Sequence, residues 1–86
     1  MLYDILALLW DDARDLTSLV EGMVARTGRP ATEAEIDGHL WFLFQFGFIE
    51  ATEGFSRHRS PVYALTPRGS QLLAVTAQEK FANVSL

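Results

Sequence analysis

The chain has 86 residues, is 49% hydrophobic, holds no cysteine and carries a formal charge of −4. That length allows one domain with a modest core, and so high an apolar content is unlike a disordered chain. The missing cysteine excludes disulfide frameworks, thiol chemistry and thiolate zinc sites, and the acidic balance argues against indiscriminate nucleic-acid binding.

The N-terminal stretch Met1 to Asp4 lacks a basic leader segment. The apolar run from Ile5 to Trp10 is far shorter than the roughly 20 residues that a membrane span requires. The expectation is a soluble, cytoplasmic protein with no membrane partner. Leu2, Ile5, Leu6 and Leu9 recur at helical spacing and predict a first helix ending around Asp12 or Ala13. Tyr3, Ala7 and Trp10 form a second apolar set on that helix, covered either by later segments or by a second copy of the chain. Such a rich apolar supply in so small a chain points to a homodimer.

Asp11, Asp12 and Asp15 follow. Carboxylates suit hard cations, but the ligand alternation and glycine of a calcium loop are missing, so the expectation is a solvated turn and no metal. Asp15 is placed to cap a second helix, in which Leu16, Leu19, Val20, Met23 and Val24 make an apolar stripe. That helix should fray near Arg26 and Thr27, and Gly28-Arg29-Pro30 makes the turn onward.

Thr32 and Glu35 have the spacing of a capping box, which starts a third helix at Glu33. Gly47 can adopt the left-handed conformation that ends helices, so this one stops near Phe46. Ile36, Leu40, Leu43 and Phe44 fall in one stripe, the predicted core face. The opposite side carries Ala34, Glu35, Gly38, Trp41, Phe42, Gln45 and Phe46, with no lysine or arginine. His39 flanks the core stripe as a boundary residue.

Phe48-Ile49 begins a strand, a polar stretch from Glu50 to Pro61 follows, and Val62 to Leu65 is again β-prone. The pattern predicts a two-stranded hairpin with a long tip. Thr66-Pro67 then opens a last helix, with Leu72, Leu73 and Val75, that fades near Lys80. The core spans about residues 2 to 78, and the tail from Ala82 to Leu86 is expected to be loose. Charge divides along the chain: residues 1–50 hold three arginines against nine acidic residues, whereas residues 51–86 hold three arginines and a lysine against two glutamates. An anionic partner should meet the C-terminal half.

The order helix, helix, turn, helix, hairpin, helix resembles the winged helix-turn-helix domains of bacterial and archaeal transcription regulators of the MarR and PadR groups. His39-Leu40-x-x-Leu43-x-x-x-Gly47-Phe48-Ile49-Glu50 is similar to the end of their recognition helix. Tyr63-Ala64-Leu65-Thr66-Pro67-Arg68-Gly69 is similar to their strand-to-helix junction. The resemblance covers roughly Ile5 to Val75 and implies a single mostly α domain with a small β-hairpin, an α+β fold in the order α-α-α-β-β-α. It also implies a recognition helix, Thr32 to Phe46, in the major groove of double-stranded DNA, with the hairpin tip alongside the phosphates. On that reading Arg57, His58 and Arg59 reach from the wing, Arg29 and Arg68 add phosphate contacts, and Gln45 and His39 face base edges. Tyr3 and Trp10 belong to the expected dimer interface.

Where such a regulator usually offers base-reading side chains, this helix presents Glu35, Asp37, Gly38, Trp41, Phe42 and Gln45. Acidic residues near a helix start complement its dipole, and aromatics are strong anchors in protein interfaces. The alternative is therefore an interaction module that offers Trp41, Phe42 and Phe46 to a heterologous protein. Catalysis is not expected. The chain has two histidines, His39 and His58, and no nucleophile elbow, phosphate loop or paired metal-ligand motif, and it implies no cofactor.

Overall fold

The computed structural model describes residues 1–55 and 61–82. The elements run α1 (Leu2–Asp11), α2 (Leu16–Thr27), α3 (Glu33–Gln45), β1 (Ile49–Phe55), β2 (Pro61–Leu65) and α4 (Pro67–Ala82), the predicted order. The predicted tip residues Arg57, His58 and Arg59, and the tail beyond Ala82, lie outside the described residues. Among the described residues no helix is long and apolar enough to cross a membrane.

Local chemistry sets the helix boundaries. Asp15 caps α2 by accepting from the Ser18 amide at 2.7 Å, and it is one of few polar side chains the fold encloses. Its burial beneath the start of α2 assigns it to this cap, whereas Asp11 and Asp12 face solvent. Gly28 ends α2 in the left-handed conformation, with φ at 72°. Thr32 caps α3 by accepting from the Glu35 amide at 3.2 Å, and its hydroxyl donates to the Glu35 carboxylate at 3.1 Å. The glutamate thus meets the hydroxyl itself rather than the cap amide.

The core forms where three helices converge on the base of the hairpin. Ile5, Leu6, Leu8 and Leu9 from α1 meet Leu19 and Met23 from α2, Ile36, Leu40 and Leu43 from α3, and Ile49 from β1. Two stripe residues depart from expectation. Phe44, predicted for the core face, is 49% exposed, and Val24 is exposed to nearly the same degree. At about 100° per residue, Phe44 sits some 80° around the helix from Ile36, on the stripe's edge, and the strand it faces offers only the short side chain of Ala51.

β1 and β2 pair antiparallel, with Ile49 opposite Leu65 and Ala51 opposite Tyr63, and an irregularity between Ala51 and Phe55. The loop between α1 and α2 adds a third, one-residue rung. The Arg14 amide donates to the Tyr63 carbonyl at 3.0 Å and the Tyr63 amide donates to the Arg14 carbonyl at 2.8 Å. Arg14 is further fixed by hydrogen bonds to the Leu8 carbonyl and the Ser18 hydroxyl, so this arginine serves the fold.

Candidate nucleic-acid interface

The end of α3 is held by two interlocked turns. The Phe48 amide donates to the Leu43 carbonyl at 2.9 Å and the Gly47 amide to the Phe44 carbonyl at 3.1 Å, while Gly47 takes a φ of 78°. This is the Schellman arrangement, and it aims the chain from α3 into β1. The junction is then tied to α4: the Thr66 hydroxyl donates to the Gly47 carbonyl at 2.7 Å and accepts from the Gly69 amide at 3.1 Å. One threonine thereby fixes α3, the hairpin base and the start of α4 together.

On this frame the predicted residues fall in three places. Gln45 is exposed at the end of α3, and His39 is half-buried beside the core stripe. Arg29 is exposed in the turn between α2 and α3, where Glu35 lines the same shallow cleft. Arg68 is exposed on the first turn of α4 and stacks over the Phe48 ring, its guanidinium carbon 5.0 Å from the ring centroid. The turn before α3 and the first turn of α4 therefore each present one solvent-facing guanidinium, and Gln45 lies on α3.

The outward side of α3 is apolar and acidic. Glu33, Glu35 and Asp37 are exposed, Trp41 is 67% exposed, and Phe42 and Phe46 pack on each other at 4.9 Å between ring centroids with each nearly half exposed. None of the three predicted interface aromatics of this helix is drawn into the core. Tyr3 and Trp10 lie elsewhere, on the far side of α1. There they line a groove of about 400 Å³ with Ala7, Leu73, Ala74 and Ala77. Tyr3 sits beneath the Arg26 guanidinium, which is paired with Asp4 at 2.9 Å, while Trp10 projects into solvent.

Sequence reasoning missed the relation between Asp37 and Tyr63. The two line one slot between α3 and the hairpin, and the Tyr63 hydroxyl is held above its ordinary pKa, first by burial and then by the Asp37 charge. Helical spacing did not give the α3 half of this slot, since it placed Phe44 on the core face and Trp41 on the opposite side. The strand half needed the register of β1 against β2.

No protein-family model matches this sequence, and no curated protein matches it. The fold is nevertheless found among solved structures. A transcriptional regulator from Clostridium thermocellum superposes with a TM-score of 0.84 at 19% identity, covering 95% of this chain and 81% of that one. A PadR family transcription regulator from Clostridium difficile gives 0.77 at 21% identity, over 94% of this chain and 90% of that one. Bacillus subtilis PadR, in complex with operator DNA, gives 0.72 at 25% identity; 88% of this chain is covered but only 46% of that one. The chain therefore has the winged helix-turn-helix fold, and the solved proteins it resembles in shape are transcription regulators that include PadR family members.

Proposed function

We propose that this chain is a non-enzymatic, DNA-binding transcription regulator that works as a homodimer in the cytoplasm. The observation that carries this reading is the helix-turn-helix with its antiparallel strand pair, in a chain of which 88% aligns with a regulator seen on operator DNA. In that role α3 enters the major groove with Gln45 and His39 toward base edges, and Arg29 and Arg68 flank it against phosphates. Arg57, His58 and Arg59 add wing contacts. A two-fold dimer built on the groove of Tyr3 and Trp10 would read half-sites about 34 Å apart. A gel-shift assay at low salt tests this directly: a retarded complex that weakens with Arg57→Ala plus Arg59→Ala is expected. No shift, or a shift indifferent to that double change, would overturn it.

A second reading has its own observation. Trp41, Phe42 and Phe46 stand in solvent on a helix face that carries carboxylates and no cation, which suits a protein surface better than a phosphate backbone. If the chain is an interaction module, Phe42→Asp abolishes a protein complex while leaving the fold and any DNA binding intact. A complex that tolerates Phe42→Asp rules that reading out.

A further inference from the structure

We propose that the slot between α3 and the hairpin binds a small organic ammonium cation, held by the Asp37 carboxylate against the rings of Trp41, Phe44 and Tyr63. The proposal does not depend on DNA binding. The slot has one wall from α3, where Asp37, Trp41 and Phe44 follow one another at i, i+4 and i+7. The opposite wall is the cross-strand pair Ala51 and Tyr63, and buried Leu40 lies between the two. Ala51 is the reason the slot exists, since a larger side chain at that register position would close it against Phe44. The space amounts to about 260 Å³, enough for a choline-sized molecule.

Chemistry narrows the occupant. Aromatic faces carry a negative quadrupole that attracts cations lying within about 6 Å of the ring centre, tryptophan most strongly. Three aromatic residues line the same slot as Asp37, which no lysine or arginine pairs with among the described residues. An anion would be repelled by Asp37. A neutral apolar ligand would fill the slot but draw nothing from the charge. A compact cation with apolar substituents uses both parts of the site: its charge pairs with Asp37 while its methyl groups displace water from the rings. Tyr63, on the opposite wall, has its hydroxyl held above the ordinary pKa by burial first and by the Asp37 charge second, consistent with a carboxylate whose field is felt within the slot.

The test uses the full chain in a Trp10→Phe background, so that Trp41 is the single tryptophan reporter. Choline and its uncharged isostere 3,3-dimethylbutan-1-ol are titrated at constant ionic strength while Trp41 emission is followed. Choline should give a saturable change, with affinity at least tenfold above that of the isostere. Asp37→Asn should lower choline affinity to the isostere's level with the circular dichroism spectrum unchanged, because Asp37 is exposed and serves no cap. Absence of saturable choline binding overturns the proposal. So does equal affinity for the two probes, or an Asp37→Asn variant that binds choline as before.

Discussion

Tyr63 ties the wing to the rest of the molecule twice, through its backbone rung with Arg14 and through its ring beside Asp37. Burial and then the Asp37 charge raise its pKa above the ordinary value of about 10, so the folded state keeps the phenol proton at a pH where the unfolded chain releases it. That difference stabilises the fold below about pH 10 and is lost as pH climbs through the folded value. Urea unfolding between about pH 9 and pH 11 should therefore show a steeper fall in stability for the native chain than for Tyr63→Phe; identical slopes would contradict it. Gly69 makes a different demand. A Cβ there would overlap the Phe48 carbonyl oxygen and crowd Leu65, and backbone cannot step aside as a side chain can. Gly69→Ala should cost about 3 kcal/mol, read as a loss in the free energy of unfolding. A cost near zero would mean that α4 is not seated on the α3 junction.

How much was legible beforehand varies by element, and α3 shows why. Both its ends were readable because capping is local: Thr32 bonds an amide three residues on, and Gly47 needs only its own backbone freedom. Ile36, Leu40 and Leu43 were readable because they lie near the centre of the apolar stripe. Phe44 was misplaced because a residue at the stripe's edge is buried or exposed according to what packs beside it, and Ala51 is too short to cover it. For the same reason the Arg14 rung and the Asp37–Tyr63 slot could not be foreseen, since both join segments far apart in the chain. The contrast is measurable. Leu43→Ala should destabilise by about 3 kcal/mol, as expected for a fully buried leucine, and Phe44→Ala by less than about 1 kcal/mol. Comparable losses at the two positions would restore Phe44 to the core.

For the molecule as a whole, two apolar surfaces stand open among the described residues: the groove between α1 and α4, and the outward side of α3. Trp10 projects from the first, and buried tryptophans are typical anchors of interface energy at about 2 kcal/mol or more each. Tyr3→Ala with Trp10→Ala should weaken self-association by roughly 30-fold or more in light scattering across a dilution series. A dimer of unaltered affinity would move the interface elsewhere. The central claim, that this winged helix engages the DNA backbone, is tested most directly by the salt dependence of its affinity for a mixed-sequence duplex, measured by fluorescence anisotropy. The native chain should show a steep negative slope of log affinity against log salt, and Arg29→Ala and Arg68→Ala should each flatten it by about one unit. Binding whose slope is the same in both variants, or no binding at the lowest salt, would contradict that claim.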